Sequence, residues 1–280
     1  MKPISRLAAN QSKSTGWPLL NLSKKLTSLF TTKKPMLIAD QQDSYGNIRI
    51  FEMGDYRFLE FGHQIEQSCV FMPDPSWLEY DYTRAMLMGA MCHPNPSSAL
   101  FLGLGAGTLT TACLKFLPLQ HANAIELRAE VISLAKQYLA LPTNAKLTIQ
   151  VGDALELLAE QQSVDLIFLD LYTDHGPSEG HSAWNFLGEC RKKLKPNGWL
   201  IINQWALPNG IPKDQPLLNA RFHKHYWQCL VESGNIVLIV PQNKTQKVDF
   251  QQLQQCINKL EPQLGYSLQP LLDNLTFANQ

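Results

Sequence analysis

The sequence of 280 residues has no surplus of either charge, because 24 Lys and Arg are balanced by 24 Asp and Glu. Proteins that bind nucleic acids over a broad surface carry a clear basic excess, so this balance argues against a nucleic-acid partner. Long apolar runs are also missing. None approaches the roughly 18 residues that are needed to cross a bilayer, so we expect no membrane span.

Closely paired cysteines are absent as well. The six cysteines form no CxxC motif, and several of them lie in apolar stretches of the sequence. We therefore expect free, buried thiols in the reducing cytoplasm rather than disulfides. The polar loop histidines His175 and His181 have no third ligand nearby in the sequence, so no metal site is predicted.

Four zones differ in composition and pattern. Residues 1–35 are a basic leader without acidic residues, which we expect to be loosely ordered. Residues 36–75 have the alternating pattern and turn residues of a small β-rich domain. Residues 76–241 form the predicted Rossmann-like, nucleotide-binding catalytic domain. Residues 242–280 form a predicted C-terminal helical extension.

Short apolar runs alternate with segments of helical periodicity in the third zone. The apolar runs lie at 99–102, 122–125, 147–151, 164–169 and 199–203. Continuous runs of this kind are typical of strands buried on both faces of a parallel sheet. Two more runs, 226–231 and 236–240, are joined by a short polar link that favours a hairpin. The sequence thus predicts an α/β fold, with a doubly wound seven-stranded sheet that is mostly parallel and has a C-terminal antiparallel hairpin.

A glycine-rich loop follows the first of these runs. Gly103, Gly105 and Gly107 stand between the strand at 99–102 and a helix expected from Thr108. Glycines here permit a tight turn and let the backbone approach a ligand, while the positive end of the following helix faces the loop. The position after a strand and before a helix favours nucleotide binding over simple strand–helix packing.

Acidic residues follow the next strands. Ligands of such sheets bind outside the carboxyl ends of the strands, so these positions are candidates for the site. Glu126 stands about twenty residues beyond the loop, where a carboxylate can accept hydrogen bonds from ribose hydroxyls. Asp153, with Ala154, either meets an adenine amino group or caps the helix that begins there. Asp170 precedes a long polar stretch, 171–181, of the kind that forms a substrate wall or lid.

Together these residues resemble the spermidine synthase family, the polyamine aminopropyltransferases, within the class I fold of S-adenosylmethionine-dependent methyltransferases. The resemblance covers roughly residues 45–241. The family's glycine motif is matched at 103–108, its ribose-binding motif at 124–127, its Gly-Asp-Ala motif at 152–154 and its catalytic-loop motif at 170–177.

The resemblance implies roles for individual residues. Asp170 falls on the family's catalytic aspartate, and Tyr82 falls on a tyrosine that lines the substrate. Gln67 matches a glutamine of the cofactor region, while Tyr172 and Asp174 fall in the substrate loop. The implied co-substrate is S-adenosylmethionine or its decarboxylated form. The implied partner is a small amine, and a homodimer is open because family members are often dimers or tetramers.

Two departures from the family pattern leave three functions open. The aspartate of the glycine motif is replaced by Ala106, and the second aspartate of the catalytic-loop motif is replaced by Thr173. In the family, both acids hold amino groups. The first expectation is an aminopropyltransferase that acts on a polyamine or similar amine. The alternative is a methyltransferase that acts on a small nucleophile, and the third is a non-catalytic nucleotide-binding protein.

Overall fold

The computed structural model describes residues 34–62, 65–173, 176–177, 180 and 183–278. Most of the predicted basic leader therefore lies outside the described residues, and so do Asp174, His175 and His181. In the described part of the chain, no helix combines the length and the apolar character that a membrane crossing needs. The boundaries of the four sequence zones stay predictions.

A small antiparallel sheet precedes the main domain. Its strands are β1 (Met36–Asp43), β2 (Gly46–Met53), β3 (Tyr56–Phe61) and β4 (Ile65–Phe71), paired in that order. Ile48, Ile50, Leu59 and Val70 are fully buried on one face. They share a hydrophobic cluster with residues of the helix Ala129–Tyr138. Because this face is covered by a helix of the main domain, the small sheet is joined to that domain by apolar packing.

Within the described residues, the main sheet has eight strands, and a separate two-stranded hairpin is inserted after the fourth. In chain order the strands of both are β5 (Ser98–Leu102), β6 (His121–Glu126), β7 (Leu147–Val151), β8 (Val164–Leu169), β9 (Tyr172–Thr173), β10 (Gly176–Pro177), β11 (Leu194–Trp205), β12 (Trp227–Leu230), β13 (Asn235–Pro241) and β14 (Leu275–Phe277). The main sheet has the order β14-β12-β13-β11-β8-β5-β6-β7, and β9 and β10 form the separate hairpin. Pairing is parallel from β11 to β7 and antiparallel from β11 to β14.

Helices cover both faces of the main sheet. They are α1 (Asp81–Ala90), α2 (Thr108–Phe116), α3 (Ala129–Tyr138), α4 (Ala154–Leu157), α5 (Trp184–Lys192), α6 (Gln215–Phe222), α7 (Phe250–Leu264) and α8 (Gln269–Asp273). Phe101 and Phe168 stack with ring centroids 4.6 Å apart and share a cluster with α1, α2 and α7. Leu100 and Ile167 point to the other face, where α5 and α6 lie. Burial on two faces explains the continuous apolar runs of these strands.

The strand order reverses beside β5. The chain passes from β5 outward to β6 and β7 and then returns to β8 on the other side of β5. In doubly wound sheets, ligands bind at this switch point, outside the carboxyl ends of the strands. Gly103 and Asp170 directly follow β5 and β8, so both lie at the switch point.

The sheet differs from the sequence prediction in two respects. It has eight strands rather than seven, because β14 pairs with β12 inside the segment predicted to be wholly helical. In addition, β11 begins at Leu194 and includes Pro196-Asn197-Gly198, which the sequence favours as a turn. Asn197 has a left-handed φ of 66°, and the register with β8 is irregular there. The turn residues therefore form a bulge inside a strand instead of preceding it.

The cysteines follow the sequence expectation. All six are free, and five of them are buried. Among the described residues, no group of three or more His, Cys, Asp or Glu side chains could hold a metal ion. The expectation that the protein needs no metal stays a prediction, since the two loop histidines lie outside those residues.

Candidate functional site

The glycine loop makes a tight turn between β5 and α2. Gly103, Gly105 and Gly107 have left-handed φ angles of 94°, 55° and 78°. A side chain at Gly103 would collide with the backbone carbonyl oxygen of Asp170, and one at Gly107 would collide with Leu141. These positions therefore require glycine, and the loop lies directly against the backbone of Asp170.

Glu126 contacts the same loop from the β6 side. Its Oε2 accepts hydrogen bonds from the backbone N–H groups of Leu104 (3.1 Å) and Gly105 (3.3 Å), and its Oε1 accepts one from the backbone N–H of Arg128 (3.1 Å). Burial raises the pKa of Glu126, and these hydrogen bonds only partly oppose the rise. The carboxylate is thus held at the loop. Oε2 already accepts two hydrogen bonds, so the lone pair that remains for a ligand hydroxyl lies on Oε1.

Arg128 joins the small sheet to this part of the site. Its Nε and Nη2 donate to the two carboxylate oxygens of Asp43 at 2.9 and 2.8 Å, and Nη2 also donates to the carbonyl oxygen of Gly46. The guanidinium lies 4.5 Å from the ring centroid of Phe61. A bidentate pair fixes both distance and orientation, so the β1–β2 hairpin is held beside Glu126.

Ser68 of β4 also reaches the glycine loop. Its hydroxyl oxygen accepts a hydrogen bond from the backbone N–H of Ala106 at 3.3 Å, and it would lie 2.6 Å from any side chain added at Gly105. The register between β3 and β4 skips one residue at Gln67, which makes Gln67 the extra residue of a β-bulge. Bulges often redirect side chains near functional sites. The cofactor contact of Gln67 stays a prediction.

Asp153 caps α4. Its Oδ1 accepts a hydrogen bond from the backbone N–H of Leu155 at 2.8 Å, which is the capping role that the sequence left open. The side chain of Ala154 is buried in the core, so only its backbone can contact a ligand. The backbone N–H of Gly152 donates to the carbonyl oxygen of Glu126, so Asp153 lies close to the predicted ribose-binding acid. Adenine recognition by Asp153 and Ala154 stays a prediction.

Asp170 directly follows β8. Its Oδ1 accepts a hydrogen bond from Nδ2 of Asn203 at 2.8 Å. Burial raises the pKa of Asp170 to about 6, and the hydrogen bond from Asn203 opposes that rise only in part. The residue nevertheless keeps part of its surface open. A carboxyl group that is accessible and has a pKa close to neutral pH is typical of a residue that accepts a proton in a reaction.

Asn203 belongs to a chain of buried polar groups along the edge of the sheet. Nδ2 of Asn235 donates to Oδ1 of Asn203 at 2.9 Å, and both residues are buried. Two residues before Asn235, the N–H and the hydroxyl of Ser233 donate to the two carboxylate oxygens of Asp81, at 2.9 and 2.6 Å. The start of α1 is therefore held close to the strand ends that carry Asp170.

Tyr82 is the second residue of α1, directly after Asp81. Its ring stacks on that of Tyr80, with ring centroids 5.9 Å apart and an angle of 14° between the planes. Tyr82 is partly exposed. Because Asp81 is bonded to the turn between β12 and β13, this pair of rings lies beside the carboxyl edge of the sheet. The catalytic and substrate-lining role of Tyr82 stays a prediction.

Tyr172 belongs to the short hairpin after Asp170. Its ring lies 6.1 Å from that of Trp205, measured between centroids. Burial, and next the charge of Asp170, raises the pKa of Tyr172. Its hydroxyl is buried, and a hydrogen bond with the side chain of Asn235 acts against the rise. The structure thus brings Tyr172 close to Asp170, whereas Asp174, the other predicted substrate residue, lies outside the description.

Comparison with known proteins supports the resemblance that the motifs indicate. Residues 80–209 match the family described as Spermine/spermidine synthase domain. The polyamine aminopropyltransferase of Vibrio vulnificus (strain CMCP6) is 26% identical over 224 residues, which cover 76% of this chain and 75% of that protein. The resemblance predicted from the motifs is confirmed, and the low identity marks a divergent relative.

Solved structures share the fold of this chain. A spermidine synthase in complex with the transition state analogue AdoDATO has a TM-score of 0.61 at 18% identity, over 82% of this chain and 88% of that one. Human methyltransferase-like protein 13 in complex with SAH has a TM-score of 0.58 at 20% identity, over 67% and 93%. At such identities the comparison shows the fold alone, and it confirms the predicted α/β class.

Four polar residues around the candidate site were not predicted from the sequence: Ser68, Asp81, Asn203 and Asn235. One signal was available, because Asn203-Gln204 interrupts an apolar strand that is buried on both faces. Buried polar side chains in such a strand need hydrogen-bond partners, so they indicate a network. The other residues carry no such signal, since their contacts connect segments that are far apart in the sequence.

Proposed function

We propose that this protein is an aminopropyltransferase-like enzyme that transfers the aminopropyl group of decarboxylated S-adenosylmethionine to a small amine. The proposal is carried by the position of Asp170. This carboxyl group lies at the switch point of the sheet, its backbone contacts the glycine loop, and burial raises its pKa to about 6. Relatives named polyamine aminopropyltransferase support this activity.

The residues around the loop fit a nucleotide that carries a positive charge on sulfur. The glycine loop follows β5 at the switch point of the sheet, and Oε1 of Glu126 beside it offers an acceptor for a ribose hydroxyl. Asp170 supplies a negative charge on the other side of the loop. A bound sulfonium nucleotide supplies an electrophilic carbon, whose C–S electron pair returns to sulfur when the amine nitrogen forms the new N–C bond.

Asp170 takes up the proton that the amine loses in this reaction. Above about pH 6 the carboxyl group is ionised, so it accepts the amine proton and becomes a carboxylic acid. Tyr172 offers a buried hydroxyl beside it, and Tyr82 stands on the helix held against the same edge. Surroundings of low polarity strengthen the attraction between Asp170 and a cationic amine, which helps to hold the two groups in reacting distance.

The choice of donor depends on the glycine loop. Ala106 is only 2% exposed and packs in the cluster that contains Ile48, Leu59 and Val131. Apolar packing thus occupies the position at which the resembled family carries an acid for the donor's amino group. Methyl transfer from intact S-adenosylmethionine is the competing function, and it differs in the donor that the protein prefers.

Product formation tests the proposal. The protein is incubated with decarboxylated S-adenosylmethionine and a panel of monoamines and diamines, and the release of methylthioadenosine is measured. We expect release that requires both the amine and the protein. If the folded protein binds the nucleotide but releases no methylthioadenosine with any amine, the proposed function is wrong.

Donor preference gives a second, independent measurement. Calorimetric titration with the intact and the decarboxylated nucleotide should show tighter binding of the decarboxylated form. Tighter binding of intact S-adenosylmethionine, together with methyl transfer to an amine, would assign the competing function instead. The Asp165→Asn variant is a suitable control, because Asp165 lies at the opposite end of β8 from the loop.

A further inference from the structure

Asn203 is the side chain that hydrogen-bonds the carboxylate of Asp170 in the described part of the protein. The contact joins Nδ2 of Asn203 to Oδ1 of Asp170 at 2.8 Å. The second oxygen, Oδ2, has no hydrogen-bond partner among the described residues. The two carboxylate oxygens are therefore in different surroundings, one of them occupied by a donor and the other open to a ligand.

Asn235 decides which end of the Asn203 amide faces Asp170. Nδ2 of Asn235 donates to Oδ1 of Asn203 at 2.9 Å, so the carbonyl end of Asn203 is already engaged. An amide has one donor end and one acceptor end. With its acceptor end held by Asn235, Asn203 presents its donor end to Asp170. An ionised carboxylate requires this orientation, because two acceptors facing each other in a buried site are unfavourable.

We propose that Asn203 is a positioning residue for Asp170: it keeps Oδ1 as a hydrogen-bond acceptor and leaves Oδ2 to take the proton of the attacking amine, while Asn235 fixes the direction of the Asn203 amide. The source of the proton rests on the proposed function, whereas the control of Asp170 by Asn203 does not. As the amine nitrogen forms the new N–C bond, the C–S bond breaks and its electron pair stays on sulfur. The proton leaves the amine nitrogen and binds Oδ2, so the carboxylate becomes a neutral carboxylic acid and the product amine is neutral as well.

Few other groups act on Asp170. From the hairpin that follows β8, the phenol of Tyr172 faces it, and from the glycine loop it meets backbone at Gly103. From β11 it meets the neutral amide of Asn203. Because no cation contacts Asp170 in the described part of the chain, this single amide has an unusually large share in stabilising the charged carboxylate.

The test measures the protonation of Asp170 without any substrate. The titration of the Asp170 side-chain carboxyl group is followed by ¹³C NMR from pH 4 to pH 9 in the folded wild type, and Asp170→Asn identifies its signal. We expect a midpoint near pH 6 for the wild type. In an Asn203→Leu background the midpoint should rise by about one unit, because the charged form loses its donor.

A second variant and a matched control complete the experiment. Asn203→Asp keeps the size of the side chain but replaces the donor with an acceptor, so two carboxyl groups share one proton and the midpoint should again rise. Asn203→Asp replaces Asn203→Leu in the experiment if the leucine variant does not fold. Asn123→Leu is the control, because Asn123 lies on β6 and donates to Gln161 instead. Its midpoint should stay near that of the wild type.

The result separates this proposal from the proposed function. An unchanged midpoint in the Asn203 variants, or an equal change in Asn123→Leu, would overturn the role of Asn203 even if the protein is an active transferase. A raised midpoint in a protein without transferase activity would support the role of Asn203 and refute the proposed function. In an active enzyme, the acid limb of the pH profile of kcat/KM should move by the same amount as the midpoint.

Discussion

Two aspartates at opposite ends of β8 have opposite surroundings. Oδ2 of Asp165 accepts hydrogen bonds from the backbone N–H and the hydroxyl of both Ser97 and Ser98, at 2.7 to 2.9 Å, and Nζ of Lys195 lies 3.4 Å away. Asp170 has one hydrogen bond to its carboxylate in the described part of the protein. The carboxylate at the start of the strand thus accepts many hydrogen bonds, whereas the one at its end accepts few.

The number of hydrogen-bond donors around each carboxylate shifts its pKa. Burial acts to raise the pKa of Asp165, but the hydrogen bonds from Ser97 and Ser98 and the charge of Lys195 outweigh it and hold the pKa well below its usual range. At Asp170, burial prevails and the pKa rises to about 6. A carboxylate with many donors stays charged and serves stability, whereas one with few donors can exchange a proton. The strand therefore has a structural end at Asp165 and, on the proposed function, a reactive end at Asp170.

The largest expected effect is on activity, in Asp170→Asn. Loss of a general base typically lowers kcat by about 10²- to 10⁴-fold, and we expect a decrease of this size in methylthioadenosine release. Asp165→Asn should keep kcat within a few-fold of the wild type in the same assay. Equal activity of Asp170→Asn and the wild type would show that Asp170 is not the proton acceptor.

The reverse pattern is expected for stability. Asp165→Asn removes the charge that accepts four hydrogen bonds from Ser97 and Ser98, so we expect a loss of about 3 kcal/mol in the free energy of unfolding at pH 7. Urea unfolding of the wild type and both variants measures it. Asp170→Asn should unfold at the same or a higher urea concentration than the wild type. A larger loss in Asp170→Asn than in Asp165→Asn would contradict the assignment of the two ends.

The dependence of stability on pH should have opposite signs at the two ends. The raised pKa of Asp170 means that the folded state binds the proton more tightly than the unfolded state, so its contribution to stability falls as the pH rises from 3.8 to about 6. The stability of the wild type relative to Asp170→Asn should decrease by about 3 kcal/mol across this window.

Asp165 should behave in the other way. Its lowered pKa gives a contribution that is present above its ordinary pKa of 3.8 and is lost as the pH falls further. The advantage of the wild type over Asp165→Asn should thus be flat near neutrality and shrink in acid. The same slope of stability against pH in both variants would show that the number of hydrogen-bond donors does not distinguish the two carboxylates.

The smallest expected effect concerns Tyr172. Because Tyr172→Phe keeps the ring that packs beside Trp205 and removes only the hydroxyl, it should change the free energy of unfolding by less than about 1 kcal/mol. If the hydroxyl is kept for the substrate, the KM for the amine should rise while kcat changes little. Strong destabilisation would instead show that the hydroxyl has a structural partner.

The sequence predicted the strand ends that carry the site residues, but not the hydrogen-bond partners of those residues. Strand ends follow from apolar runs, so the loop at Gly103 and the acids at Glu126, Asp153 and Asp170 could be located from local pattern. Their partners could not be, because the contact between Asp170 and Asn203 joins residues that only sheet pairing brings together. The number of strands was wrong for a similar reason, since a three-residue strand carries too little pattern to be recognised.

The eighth strand has a consequence for the handling of the protein. β14 pairs with β12 and covers the backbone donors and acceptors of a strand whose neighbours are strongly apolar. A chain shortened before Leu275 would leave β12 as an open edge, and open edges pair with other molecules. Proteolytic removal of the last few residues would thus favour aggregation rather than a simple loss of activity.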